Sequence, residues 1–148
     1  VVLGVLDAPS RDERWAAAAG SGAWRNGERL RGSRRIDLPG ARTPADALPK
    51  ADRDLAIVTK PNSIALRIAM VAADEADLVT TLRWGNEWDI AAAALIAAEA
   101  GNTVSDAHGL PLRFNKPDPR AFGVLVSAPG IHRAAVTRLE PRAAAALR

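Results

Sequence analysis

Short apolar segments, each closed by turn-forming residues, dominate the first part of the chain. Residues 1–6 are apolar and Asp7-Ala8-Pro9 ends them; because proline cannot donate to a sheet, this pattern predicts a strand. Residues 14–19 predict a second strand. Asn26-Gly27 lies between two short strand-like stretches and predicts a tight hairpin, because both central positions of such a turn need a positive φ. The beginning of the chain therefore predicts antiparallel β structure.

The next segment, residues 31–54, is polar and contains several prolines. This composition is typical of a connecting region, in which we expect a short strand at residues 35–38 and a short helix after Thr43. We therefore divide the chain into two portions. Residues 1–54 form an antiparallel β portion with its connection, incomplete at its N-terminal side, and residues 55–148 form a C-terminal α/β portion.

An alternation of strand-like and helix-like segments follows residue 54. It predicts strands at residues 55–59, 76–82, 103–105 and 123–127 and helices at residues 63–73, 88–100 and 131–147. Such an alternation indicates a layered α/β fold, with antiparallel strands first and then a mostly parallel sheet with helices. The helix at 88–100 is the clearest, because alanine, leucine and isoleucine fill it and Gly101 follows its end. It is apolar on nearly every face, which predicts burial between layers.

Composition excludes several classes of protein. The chain has 148 residues, a net charge of +3 and no cysteine, so a disulfide framework and a thiol nucleophile are excluded. A reducing cytoplasm is the default expectation for its location. No run of ~20 apolar residues predicts a membrane-spanning helix. Its arginines are scattered and no nucleic-acid motif accompanies them, so we expect neither a membrane nor a nucleic acid as partner.

The residue with the clearest chemistry is Asp89, a carboxylate at the start of the apolar helix. Two interpretations are open. Aspartate is among the best N-caps and the helix dipole favours it there, and taken alone the position favours this structural role. A carboxylate is also the kind of ligand that Mg²⁺ takes.

Several motifs shift the interpretation of Asp89 toward a metal ligand, because they occur together and in order. The last of them are Trp88-Asp89-Ile90-Ala91-Ala92, the helix end Glu99-Ala100-Gly101 and the Asp106 to Gly109 turn; the first are Leu3-Gly4-Val5, Ala8-Pro9, Gly20-Ser21-Gly22-Ala23 and Asn26-Gly27. In this order they resemble the inositol monophosphatase family, over about residues 1–132. The resemblance implies that the chain is the C-terminal portion of an α-β-α-β-α sandwich.

The resemblance also implies a Mg²⁺-dependent phosphomonoesterase, in which metal ions bridge the substrate phosphate and activate a water. The aspartate of the Trp-Asp motif is a metal ligand in that family, which makes Asp89 the implied catalytic and metal-binding residue here. The other ligands belong to an Asp-Pro-Ile-Asp-Gly-Thr motif and an upstream glutamate, and neither occurs in this chain. We therefore expect a piece of a longer enzyme that by itself binds Mg²⁺ very weakly and hydrolyses nothing.

A finer resemblance concerns the substrate. Ala65-Leu66-Arg67 and Glu87-Trp88-Asp89 resemble the Ser-Leu-Lys and Glu-Trp-Asp motifs of CysQ-type 3′(2′),5′-bisphosphate nucleotidases, and Leu82-Arg83 resembles their second-phosphate contact. Asn62-Ser63 falls where the family has a pocket-lining Gly-Ser. The implied substrate-binding residues are Asn62, Ser63, Arg67, Arg83 and Glu87.

The substrate expected from these residues is adenosine 3′,5′-bisphosphate, since two guanidinium groups suit two phosphates. Each arginine taken alone is equally a surface charge. The alternatives are an inositol monophosphatase and, from another class, a non-catalytic phosphatase-like binding module. In each case the partner is a small phosphorylated molecule, and the assembly stays open, with a homodimer as one option.

Overall fold

The computed structural model describes residues 1–146. Its strands are β1 (Leu3–Ala8), β2 (Glu13–Ala18), β3 (Gly22–Arg25), β4 (Glu28–Arg29), β5 (Arg42–Pro44), β6 (Ala56–Val58), β7 (Leu78–Asn86), β8 (Thr103–Ser105) and β9 (Arg120–Ser127). Its α-helices are α1 (Ile64–Ala72), α2 (Glu87–Glu99) and α3 (Pro129–Ala146). The predicted helix end at Leu147 lies outside the described residues. No helix within the described part of the chain has the length and apolar character needed to cross a membrane.

The first sheet is an antiparallel meander in the order β1-β2-β3-β4, as the sequence predicted. Asn26 and Gly27 connect β3 to β4 with φ values of 50° and 82°, so the predicted hairpin is confirmed. Asparagine and glycine tolerate this left-handed region better than other residues do. Strand β1 continues two residues past its predicted end, because Asp7 pairs with Arg14 of β2 across the ladder and through an ion pair of 2.8 Å.

Helix α2 packs on the inner face of this sheet at very short range. A Cβ atom at Gly4 would lie 2.9 Å from the carbonyl oxygen of Ala92, closer than Cβ atoms approach other heavy atoms. Glycine at position 4 and alanine at position 92 therefore allow the strand and the helix to touch. The same face buries Trp15, Ala17 and Ala23.

The second sheet has the order β7-β9-β8, and both of its pairings are antiparallel. The prediction of a mostly parallel sheet is therefore wrong in this detail. Strands β7 and β8 do run in the same direction, as a crossover through α2 requires, but β9 lies between them and runs against both. The parallel pairing within residues 1–146 joins β5 to β6. It connects the two predicted portions of the chain, residues 1–54 and 55–148, across their boundary.

The main core lies where α1 and α2 meet both sheets. It contains Ile68, Val71, Ile90, Ile96 and Val124 with Trp15 of the first sheet. The predicted burial of α2 between layers is confirmed for most of its length. Its first turn differs, because Trp88 and Asp89 are exposed.

The connecting region differs from its prediction in three places. Residues 35–38 form no strand, because the Arg35 side chain donates to the carbonyls of Asp37 and Pro39 and folds the segment on itself. Strand β5 and a 3₁₀ turn at Lys50–Asp52 replace the helix expected after Thr43. Strand β6 is largely exposed instead of buried.

One buried carboxylate ties the connecting region to the second sheet. Asp77 accepts hydrogen bonds from Ser33 Oγ at 2.5 Å and from Arg42, whose N lies 2.8 Å and whose Nε lies 3.0 Å from Oδ2. Burial alone would raise the pKa of Asp77, but the bonds from Arg42 and Ser33 outweigh it and lower the pKa from 3.8 to about 2.

We expect Asp77→Asn to lower the free energy of unfolding by about 2 to 3 kcal/mol at pH 7, because a buried, charge-assisted network is broken. The folded pKa lies below the unfolded one, so this contribution is present above about pH 4 and is lost as the pH falls through about 2. Urea unfolding between pH 7 and pH 2.5 measures both effects. Asp74→Asn is the matched control: Asp74 also bonds Arg42 but is exposed, and its loss should cost well under ~1 kcal/mol. A difference between wild type and Asp77→Asn that stays constant with pH would contradict this account.

Candidate functional site

An open cleft of about 800 Å³ runs along β7 to the start of α2. Its walls come from segments far apart in sequence: the loop at residues 45–49, Lys60, the beginning of α1, the second half of β7 and part of β9. Clefts of this size that combine apolar walls with a few charged groups are the usual places for small ligands.

The structure brings together three of the residues singled out from the sequence. Asp89, Arg67 and Arg83 all line the cleft. Asn62, Ser63 and Glu87 are not among its lining residues.

Asp89 sits at the third position of α2, and the residue before the helix is Asn86. The interpretation of Asp89 as the N-cap is therefore wrong by three positions. Its Oδ2 accepts from the backbone N and the side-chain Nδ2 of Asn86, both at 3.4 Å, which is long for such bonds. Oδ1 makes no hydrogen bond with residues 1–146. The carboxylate is thus exposed in the cleft and keeps most of its capacity to accept a ligand.

The cationic side chains of the cleft differ in how far they are already engaged. Lys60 pairs with Asp46, and Arg142 forms two hydrogen bonds with Asp52, at 2.7 and 3.0 Å. Arg67 Nη2 donates to the carbonyl of Asn62 at 2.9 Å.

Arg83 is different, because within residues 1–146 its guanidinium group forms neither a hydrogen bond nor an ion pair. It is exposed and lines the cleft together with Asp89. Arg83 is therefore the cation best placed to receive an anionic ligand.

Glu87 is held by the backbone of residues 115–116. It is buried, and its two carboxylate oxygens accept from the backbone N of Asn115 at 2.6 Å and of Lys116 at 3.4 Å. Burial would raise the pKa of Glu87, but hydrogen bonds from Lys116 and Asn115 hold it below its usual value. Both oxygens are engaged with the loop, so this geometry gives no support to the substrate-binding role expected for Glu87.

Asn62 and Ser63 form the start of α1. Ser63 is the N-cap, and its Oγ accepts from the backbone N of Leu66 at 3.2 Å. The Asn62 carbonyl holds Arg67, as described above. These contacts explain both residues structurally, and their role toward a substrate stays a prediction.

The described residues do not form a complete metal site. Within residues 1–146 there is no group of three or more His, Asp or Glu side chains that could hold a metal ion. Mg²⁺ takes about six oxygens, commonly from one or two carboxylates, waters and phosphates. Asp89 fits as one of these ligands and cannot hold the ion alone.

Sequence reasoning missed the pair of Lys60 and Asp46. For Trp84 it favoured packing and kept a place at the border of a nucleotide as the alternative, because Arg83 is adjacent. No spacing rule connects positions 46 and 60, since only the folded chain brings them to one wall. Trp84 lines the cleft and is 56% exposed.

Comparison with known proteins decides the family, because the sequence model of the inositol monophosphatase family matches residues 1–145. The chain belongs to this family. It is 37% identical over 122 residues to the fructose-1,6-bisphosphatase/inositol-1-monophosphatase of Thermotoga maritima, covering 74% of this chain and 45% of that protein. It is 34% identical over 125 residues to inositol monophosphatase 2 of Solanum lycopersicum, covering 73% and 46%. It is 35% identical over 121 residues to Nus factor SuhB of Escherichia coli, covering 72% and 45%.

Solved structures confirm the layered α/β fold. Staphylococcal IMPase-II superposes with a TM-score of 0.82, with 99% of this chain and 59% of that one covered at 21% identity. An IMPase of Thermotoga maritima gives a TM-score of 0.76 at 29% identity, with 97% and 57% covered. The chain spans about half the length of the curated relatives that it matches.

The environments of Glu87 and Asp89 lead to opposite expectations for stability. We expect Glu87→Gln to lower the melting temperature clearly, because one buried oxygen that accepts from the 115–116 loop becomes a donor. Asp89→Asn should leave the melting temperature nearly unchanged, because its bonds to Asn86 are long and exposed. Thermal unfolding of both variants followed by circular dichroism measures the difference. The assignment fails if Asp89→Asn proves the more destabilising of the two.

Proposed function

We propose that the protein to which this chain belongs is a Mg²⁺-dependent phosphomonoesterase, and that the cleft along β7 binds its substrate. The observation that carries the proposal is the meeting of Asp89 and Arg83 in one cleft. Asp89 offers oxygen ligands to a metal ion, and Arg83 offers paired N–H donors to a phosphate.

Each group has a defined task in this proposal. Arg83 has no partner within residues 1–146, so it can grip two phosphate oxygens without first breaking an ion pair. Asp89 supplies one carboxylate to Mg²⁺, with further ligands from outside the described residues. When bound, Mg²⁺ would neutralise the phosphate and orient the attacking water. Leu82, Ile90 and Val124 give the cleft an apolar wall beside these two charges.

The best-supported substrate class is an inositol monophosphate. The Thermotoga maritima and Solanum lycopersicum relatives carry this activity in their names. A small polyol phosphate also suits a cleft that holds one unengaged arginine. The chain spans less than half of those proteins, so the identity of the substrate is part of the proposal.

A bisphosphate nucleotidase of the CysQ type is the second candidate. It is favoured by the presence of both Arg67 and Arg83 in the cleft. Against it, Arg67 already donates to the Asn62 carbonyl, and its Nε is enclosed without a hydrogen-bond partner. A second phosphate would therefore depend on rearranging Arg67, and the relatives described above carry no nucleotidase name.

The alternative of a non-catalytic binding module has a specific observation behind it. One relative at 35% identity is named a Nus factor, which is the name of a factor and not of an enzyme. Release of phosphate from inositol 1-phosphate and from adenosine 3′,5′-bisphosphate by the full-length protein separates the three candidates. Absence of turnover on both substrates would leave the binding module.

We expect Asp89→Asn in the full-length protein to reduce kcat by at least about 100-fold, since about 3 kcal/mol of transition-state stabilisation is removed with the metal-facing charge. The fold should be preserved, so the circular dichroism spectrum serves as the internal control. Near-normal turnover at limiting Mg²⁺ would exclude Asp89 as a metal ligand.

We expect Arg83→Ala to lower kcat/KM by about tenfold or more, which corresponds to the loss of a charge-assisted bond to phosphate. Arg113→Ala is the matched control, because Arg113 is equally exposed and does not line the cleft. Steady-state kinetics with inositol 1-phosphate measure both variants. Equal effects of the two substitutions would show that Arg83 acts only through the overall charge.

A further inference from the structure

One large aromatic residue that lines the cleft is mostly exposed. Trp84 is 56% exposed, whereas Trp15 in the core is 1% exposed. Trp84 lies between Arg83 and Gly85, and all three line the cleft. A Cβ built at Gly85 would have no heavy atom within 4 Å, so the cleft is open at this residue.

The indole is held in place by strand β9. Trp84 pairs with Phe122 across the sheet, and their ring centroids are 5.4 Å apart with an interplanar angle of 56°. The guanidinium carbon of Arg120 lies 5.3 Å from the centroid of the Trp84 ring. Arg120 is in turn fixed by Asp118 at 2.7 Å. The ring is thus preorganised by its neighbours while more than half of the side chain stays uncovered.

The local backbone explains why neighbouring residues reach the same cleft. The pairing of β7 with β9 shifts register between Thr81 and Trp84. Such an irregularity interrupts the alternation of side chains along a strand. Strand β7 is also at the edge of its sheet, and residues 80–86 all line the cleft. Arg83 contributes a charge there and Trp84 an aromatic residue.

We infer that Trp84 is a specificity-determining residue that carries the ring of the alcohol half of the phosphate ester. The inference rests on the proposed function, because it takes the phosphate to lie at Arg83 and Asp89. A ring attached to that phosphate then reaches the adjacent indole. The shared chemistry is a ring face laid on an aromatic surface, which a cyclitol provides through its C–H groups and a nucleobase through its planar π face.

The test compares three substrates of the full-length protein. Inositol 1-phosphate and adenosine 2′-monophosphate each carry one phosphate and a ring, whereas glycerol 2-phosphate carries one phosphate and no ring. We expect Trp84→Ala to raise KM by about tenfold for at least one ring substrate, with little change in kcat and none in KM for glycerol 2-phosphate. Trp84→Phe should restore most of the loss. The ring substrate that responds identifies the alcohol half.

Trp88→Ala is the matched control, because Trp88 is 65% exposed, lies four residues further on and does not line the cleft. It should leave all three KM values unchanged. Equal KM changes for all three substrates, or no change with Trp84→Ala, would overturn the inference.

A second measurement keeps this inference separate from the proposed function. If the wild-type protein turns over none of the three phosphates, the proposed function fails. Quenching of indole fluorescence by adenosine 2′-monophosphate, compared between wild type and Trp84→Phe, then still tests whether the Trp84 indole binds a ring. Quenching that is lost in Trp84→Phe and kept in Trp88→Phe supports it, and quenching that is the same in all three proteins contradicts it.

Discussion

The close contact between α2 and the first sheet is the constraint on which the rest of the structure depends. Gly4 and Ala92 lack the side-chain atoms that would hold the strand and the helix apart. The two ends of the helix are fixed by carboxylates. Glu99 accepts from the backbone N of Gly20 and of Gly22 at 2.8 Å each, and Glu87 accepts from the loop at residues 115–116. With its axis and both ends set, α2 has one position for its first turn, and that turn borders the cleft.

The same geometry separates two carboxylates that are only two residues apart. An α-helix turns by about 100° per residue, so Glu87 and Asp89 are about 200° apart around the helix axis and point to nearly opposite sides. Glu87 turns inward to the loop and is buried, while Asp89 faces the cleft. The Glu-Trp-Asp motif therefore combines an anchor for the helix with a carboxylate that faces the cleft. The sequence predicted a metal-binding role for Asp89 and a substrate-binding role for Glu87, and the buried environment of Glu87 gives no support to the second.

The sequence predicted what is decided locally. Asn26-Gly27 fixes a hairpin because only a few residues accept its φ values, and the alanine-rich run up to Gly101 fixes α2 and its end. It did not predict that β9 lies between β7 and β8, because strand order depends on contacts between distant segments. For the same reason it grouped Arg67, Arg83 and Asp89 through a resemblance, and gave no signal for Lys60 and Asp46 on the opposite wall.

The central claim is that Arg83 and Asp89 mark the place where a phosphate and a metal ion bind together. A crystal structure of the full-length protein with Mg²⁺ and inorganic phosphate tests it most directly. The account predicts an Asp89 carboxylate oxygen in the coordination sphere of the ion and phosphate oxygens within hydrogen-bond distance of the Arg83 guanidinium group. Phosphate and Mg²⁺ bound elsewhere, with the cleft between β7 and α2 left to solvent, would contradict it.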